Sequence, residues 1–343
     1  MQKIVACCVL QGWFAAHAVA EDDQIYLKRG APINGAVTAT TPTQVAIEAR
    51  GTNQAINANE IRMVVFADEP QELRQGRADA ASGKFQKGLD NLKRVNPAGL
   101  DRDLIKRDLQ FYLALCEGRL ALSVGGDKAK ATESMLAFVR AAPTSFHFFD
   151  AAQLLGDLAV GQADYESAVK YYGAIASKAP WPEYQMNASL AEARAWVAQG
   201  DFAKAEEKFD SVINAKSDTP ETKRQKLLAQ VGKGRCLAET SSPEKGIELI
   251  EKIIAENDAT DGELFGRAYN AHGDCLLKAG DQKAALMAYL HVDVLFYGDS
   301  DVHAESLYHL SKLWAAIKKP DRAATARNLL DQRYSGSVWA KKE

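Results

Sequence analysis

After residue 20 no stretch approaches the roughly 18 uninterrupted apolar positions of a membrane span, so no membrane insertion is expected there. An excess of one charge is also missing: 42 Lys and Arg face 45 Asp and Glu, a formal net charge of −3. Nucleic-acid binders present a clearly basic footprint, so that class of partner is not expected. Cysteine is scarce, five in all, with two at Cys7 and Cys8. Cys116, Cys236 and Cys275 remain, odd in number and without a C-x-x-C pair, which excludes a disulfide framework or zinc site of the usual kind. Cys236 and Cys275 occupy equivalent positions of neighbouring units, on the order of 10 Å apart when stacked and beyond the roughly 7 Å reach of a disulfide. All three read as small core residues. Catalytic spacing is lacking too. His147, His272, His291, His303 and His309 offer no i, i+4 pair around a glutamate, and Gly232-Lys233-Gly234 lacks the third glycine and the preceding strand of a nucleotide loop. No catalytic residue, metal ligand or cofactor is therefore expected.

What is present begins with a leader-like segment. Lys3 precedes the largely apolar Ile4–Ala16, Ala18-Val19-Ala20 forms an A-x-A site, and Glu21-Asp22-Asp23 follow. This order predicts a secretory signal peptide over residues 1–20, cleaved after about Ala20, and a periplasmic or extracellular location. A buried N-terminal helix is the competing reading.

Residues 21–68 have β character. Short runs at Ile25–Leu27, Pro32–Val37, Gln44–Glu48, Ala55–Ile56 and Ile61–Phe66 are separated by Arg29-Gly30, Thr41-Pro42, Gly51-Thr52-Asn53 and Asn57-Ala58-Asn59. Such runs predict a five-stranded meander that closes most of a small barrel. The segment resembles a small SH3-like or Sm-like module. Seven Asp and Glu against four Lys and Arg over residues 21–70 argue against a phosphate backbone as its ligand.

From residue 69 to 335 helical periodicity takes over, and one phrase keeps returning. It reads Gly83-Lys84-Phe85-Gln86-Lys87-Gly88, Gly126-Asp127-Lys128-Ala129-Lys130-Ala131, Ala163-Asp164-Tyr165-Glu166-Ser167-Ala168 and Gly200-Asp201-Phe202-Ala203-Lys204-Ala205. Copies ending at Gly246, Ala285 and Ala323 follow. The closing small residues are spaced by 43, 37, 37, 41, 39 and 38. Twelve residues before them stand Gly76, Gly156, Ala193, Gly234, Gly273 and Ser311, with Arg119 as the one departure. Two small residues in phase predict that a first helix (A) and a second (B) cross closely once per unit. Four residues after the closing position come Leu92, Met135, Tyr172, Phe209, Ile250, Tyr289 and Arg327, mostly large side chains that fill the space between neighbours.

These registers resemble the tetratricopeptide repeat family. The resemblance implies a mainly α fold, a right-handed α-α superhelix of about seven helical hairpins behind the small β-barrel-like module. The period near 39 departs from the family's 34 and implies longer helices or connections, with Sel1-like or HEAT-like hairpins as the adjacent families. It also implies a concave face lined by A helices that binds protein or peptide partners. The residue after each A-helix small position gives Asp157, Arg194, Arg235, Asp274 and Lys312, flanked by Asn187, Asn270 and Tyr308. Either Arg194 and Arg235 form a basic notch for a partner's carboxylates, or Asp157 pairs with Arg194 and Arg235 with Asp274 as an internal ladder.

Phe146-His147-Phe148-Phe149 and Pro180-Trp181-Pro182-Glu183-Tyr184 are either staples at unit junctions or partner-binding anchors. Residues 336–343 read as a polar tail beyond a capping unit. Together these features predict a non-catalytic extracytoplasmic scaffold. A self-associating envelope protein with end-to-end stacked solenoids is the alternative, and a glycan or small-molecule binder is a third reading.

Overall fold

The computed structural model describes residues 22–343, so the predicted signal peptide lies outside the described residues. Five strands come first: β1 (Asp23–Leu27), β2 (Ile33–Thr40), β3 (Gln44–Ala49), β4 (Thr52–Asn57) and β5 (Ile61–Val65). They form an antiparallel sheet in the order β4-β3-β2-β1-β5. The expected barrel closure does not occur: β4 and β5 stand at opposite ends of the sheet. Closure is not needed because helices cover the apolar face. Ile25, Val37, Val45, Ile47 and Val64 share one continuous core with Leu73, Leu89, Leu92 and Leu109.

Seven hairpins follow. They are α1 (Gln71–Ala81) with α2 (Phe85–Leu92), α3 (Asp103–Ser123) with α4 (Lys128–Ala141), and α5 (Phe148–Gly161) with α6 (Tyr165–Lys178). Next come α7 (Pro182–Gln199) with α8 (Phe202–Ile213) and α9 (Pro220–Thr240) with α10 (Pro243–Glu256). The last two are α11 (Gly262–Lys278) with α12 (Gln282–Leu295) and α13 (Ser300–Ala316) with α14 (Pro320–Arg333). Lengthened A helices account for much of the long period, with 21 residues in both α3 and α9.

The recurring phrase has a local cause. Its aspartate is the N-cap of helix B: Asp127, Asp164, Asp201 and Asp281 each accept a hydrogen bond from the backbone N–H three residues on. The residue before it ends helix A in the left-handed region, at Gly200 (φ 86°) and Gly280 (φ 87°), and at cost in Ala163 (φ 59°).

The two small-residue registers meet where they were expected to. A Cβ on Gly156 would lie 2.2 Å from the Tyr172 ring, one on Gly273 2.6 Å from Tyr289, and one on Gly234 2.8 Å from Ile250. Tyr172, Ile250 and Tyr289 therefore lie over the glycine of their own A helix, whereas Phe209 lies over Gly232 of the next one. Gly246 approaches the Gly234 carbonyl just as closely. Cys116, Cys236 and Cys275 are buried and free, as expected.

A buried charge cluster joins the front sheet to the first three hairpins. Arg77, fully buried, donates to both carboxylate oxygens of Glu69 (2.6 and 3.0 Å) and to Asp108 (2.9 Å). The other Asp108 oxygen bonds His147 Nε2 at 3.0 Å, and the His147 ring stacks on Phe111 at 3.8 Å. Burial works against a charged imidazole, but the hydrogen bond to Asp108 and the negative charges of Asp108 and Asp150 outweigh it and raise the His147 pKa above its ordinary value. With His147 protonated, two cations balance two carboxylates. Asp23 makes the second joint: it accepts from the amides of Val37 and Ala67 and from both terminal nitrogens of Arg102 (2.7 and 2.8 Å).

Three stability predictions arise. Gly273→Val drives atoms into the fully buried Tyr289 ring and is expected to cost about 1–3 kcal/mol in urea unfolding. Ala163→Gly relieves a left-handed alanine and is expected to stabilise by about 1 kcal/mol in the same assay. The unfolded imidazole titrates near pH ~6.5, below its folded value, so the His147 contribution is complete below that pH and fades as pH rises through the folded pKa. The stability gap between wild type and His147→Gln should therefore shrink as the pH is raised from about 6, below the unfolded imidazole's value, into the alkaline range; a gap that stays constant would show that the ring acts uncharged.

Candidate functional site

Successive A helices pack on one another, α7 on α9, α9 on α11 and α11 on α13, whereas the strong contacts of the B helices are with A helices. The array must therefore curve with the A helices on its inner side. Among the described residues no helix is long and apolar enough to cross a membrane, and no group of three or more His, Cys, Asp or Glu could hold a metal.

Arg235 and Asp274 form the predicted pair at 2.8 Å, and Arg235 also reaches Glu305 at 2.9 Å. One guanidinium thus ties α9 to α11 and α13. Asn270, buried on α11, strengthens the same seam by donating to the Val302 carbonyl (2.8 Å) and to Glu305 (3.1 Å), while its Oδ1 finds no partner among the described residues. Burial opposes the charge on Arg235, but Asp274 and Glu305 outweigh it and raise its pKa.

The other predicted pair does not form. Asp157 bonds Arg119 of the preceding hairpin at 2.9 Å, and also accepts from Gln153 (2.8 Å) and the Tyr172 hydroxyl (2.9 Å). Arg119 is the residue that stands where the other A helices carry a small one, and its length lets it reach forward. Asp157 is saturated as a result, and Arg194 makes no hydrogen bond or ion pair with any described residue. Its side chain keeps partial contact with solvent. Burial within the concave wall, reinforced by the charge of Arg267, pushes its pKa down to about 10, against the pull of Glu263, Asp301 and Asp299. These last three and Arg267 lie on or just ahead of α11 and α13, two and three A helices along, so the wall curves tightly around Arg194.

Asn187 is exposed on the same helix as Arg194. Lys312 is exposed with its amine 5.7 Å from the Tyr308 ring. Tyr308 is covered, because its hydroxyl donates to the carbonyl of Glu343 (3.3 Å). The tail therefore folds back instead of extending as a plain polar segment. Arg224, Glu263, Arg267, Asp299, Asp301 and Glu305 were not anticipated. A signal for two of them existed: Arg267 and Glu305 lie six residues before the A-helix small position, as Asn187 does.

Two long-range contacts bound this face. On the rim formed by the A-helix N-termini, the β module reaches across: Arg29 pairs with Glu221 on α9 (2.6 Å) and Asn59 donates to Glu183 on α7 (2.8 Å). Lys28 lies 5.8 Å from the Tyr184 ring. On the opposite rim, Ser335 donates to the Val124 carbonyl and the Gly336 amide donates to the Ser123 carbonyl at 3.1 Å, joining the last hairpin to the second. The aromatic clusters act as staples: Phe149, Trp181 and Tyr184 pack edge to face, with centroids 5.1–5.9 Å apart.

No curated protein sequence matches the chain. Residues 142–292 match the family described as tetratricopeptide repeat-like domain. A tetratricopeptide repeat protein from Parabacteroides merdae is similar in structure, with a TM-score of 0.52 at 14% identity over 76% of this chain and 91% of its own. The apo quorum sensor NprR from B. thuringiensis scores 0.49 at 10% identity, over 76% of this chain and 85% of its own. With small-residue crossings, capped turns and an A-helix inner wall all in place, the helical array has the fold of a tetratricopeptide repeat-like solenoid, and residues 142–292 within it match that family.

Proposed function

We propose that the chain is a non-catalytic extracytoplasmic adaptor whose concave face holds an extended, carboxylate-bearing segment of a partner protein. The observation that carries this reading is Arg194, a guanidinium held on the inner wall, half-buried, with every nearby carboxylate engaged elsewhere or too far to bond it. A desolvated cation without a counter-charge costs free energy that a bound carboxylate would return through a charge-assisted pair. The unpartnered Asn270 Oδ1 is an acceptor for a main-chain N–H of the same segment once the side chain shifts. The leader-like order of Lys3, Ile4–Ala16 and Ala18-Val19-Ala20 supports the location. End-to-end stacking fits poorly, since the β module covers one end of the array and the tail the other, and the aromatic clusters suggested for a glycan are spent on packing.

The two arginines separate binding from scaffolding. Peptides selected from a random library against the full chain should carry Asp, Glu or a free C-terminus. Arg194→Glu should weaken them at least tenfold, about 1.4 kcal/mol, with little change in Tm. Arg235→Glu should instead lower stability by about 2–3 kcal/mol, because it strands Asp274 and Glu305, a figure reduced for the partial exposure of the pair. Selected peptides that bind Arg194→Glu and wild type equally would sink the proposal. For the location, the mature protein in an osmotic-shock fraction should begin at Glu21 by mass spectrometry.

A further inference from the structure

Among the described residues no further A helix packs on the outer side of α13 and α14. In the other six hairpins the position four residues after the closing small residue holds Leu92, Met135, Tyr172, Phe209, Ile250 or Tyr289, each buried. Here it holds Arg327, which hydrophobic packing against a following helix would not select. What Arg327 does instead is bind main chain: Nη2 donates to the Ala340 carbonyl (2.8 Å) and Nη1 to the Lys342 carbonyl (2.9 Å). The Tyr308 hydroxyl adds a third bond of the same kind, to the Glu343 carbonyl at 3.3 Å. Three donors aimed at the carbonyls of Ala340, Lys342 and Glu343 recognise a backbone turn whatever its side chains.

Side-chain recognition comes from two residues. The Trp339 ring lies against Tyr308 and His309, both 5.6 Å between centroids. The Lys342 amine sits 3.7 Å over the Trp339 ring. It also faces the carboxylates of Glu305 and Asp274, set against the one cation of Arg235. The bound element is a single short turn, Trp339–Lys341, followed by exposed Lys342 and Glu343. Its upstream anchor, Gly336 on Ser123, is a separate contact. The turn can therefore leave while α14 and that anchor stay in place.

We propose that the C-terminal end of the concave wall, around Tyr308, His309 and Arg327, is a recognition site for a partner segment carrying an aromatic residue followed three positions later by lysine, and that Ser337–Glu343 occupy it in cis as a built-in competitor. A tethered ligand of this length acts at an effective concentration on the order of millimolar, so only a partner segment that outbids the tail gains the site. The proposal stands apart from the Arg194 reading, since among the described residues Arg194 makes no hydrogen bond or ion pair with the tail, whose Lys342 faces Glu305 and Asp274 instead.

The test uses the full chain and a fluorescein-labelled synthetic peptide of residues 337–343, followed by anisotropy. Trp339→Ala weakens the cis occupant and should bind the peptide at least tenfold more tightly than the wild-type chain. Adding Arg327→Ala should remove at least fivefold of that affinity, a peptide with alanine in place of its tryptophan should not bind, and adding Arg194→Glu should change nothing. No saturable binding to a natively folded Trp339→Ala chain at millimolar peptide would overturn the site. A second readout needs no variant. In the wild-type chain the amides of Lys341 and Lys342 should exchange with deuterium at least a hundredfold faster than those in the middle of α14. Equal protection would mean that the tail opens only when the hairpin unfolds, and the tail would then be a fixed cap.

Discussion

The architecture rests on how closely helix A and helix B cross inside each hairpin. At Gly156, Gly234 and Gly273 an added Cβ would overlap a side chain of the partner helix. The crossing lets Tyr172, Ile250 or Tyr289 lie flat across the A helix, and each of these is buried. A hairpin packed this way still exposes an apolar face that only the next hairpin can cover, so a single rule repeated about every 39 residues produces an array and its curvature together.

Charge is used in two opposite ways. In the cluster of Glu69, Arg77, Asp108 and His147 every group is buried and compensated, and the cluster locks the front sheet to three hairpins. Along the concave wall Arg235 is likewise compensated twice over. Arg194 breaks this pattern. The cause lies two hairpins back: Arg119 captures Asp157, the carboxylate that a regular ladder would have given to Arg194. An irregular residue in one hairpin thus leaves an open cation two hairpins later.

The sequence made the seven hairpins legible because helix caps, turn glycines and crossing residues are local and recur in phase. Arg235 with Asp274 was legible for the same reason. The ladder alternative gave Arg194 the wrong neighbour, because competition for Asp157 depends on side-chain reach, which spacing does not encode. Barrel closure failed as an expectation because the strands carry an apolar face but no mark of what covers it. The bridges from Arg29 and Asn59 to α9 and α7, and the fold-back of Trp339, join residues far apart in sequence, where periodicity carries no information.

The contact of Ser335 and Gly336 with the α3–α4 connection has a consequence for how the protein comes apart. A linear stack of hairpins frays from its ends, because a terminal unit has one neighbour and melts at half the interface cost of an interior one. Tying the seventh hairpin to the second gives it two neighbours, so unzipping has no free C-terminal end to start from. Gly336 has no room for a Cβ, which would fall 2.6 Å from the Ala121 carbonyl oxygen. One hydrogen atom in place of a methyl group at that position therefore decides whether the solenoid behaves as an open spring or a closed hoop.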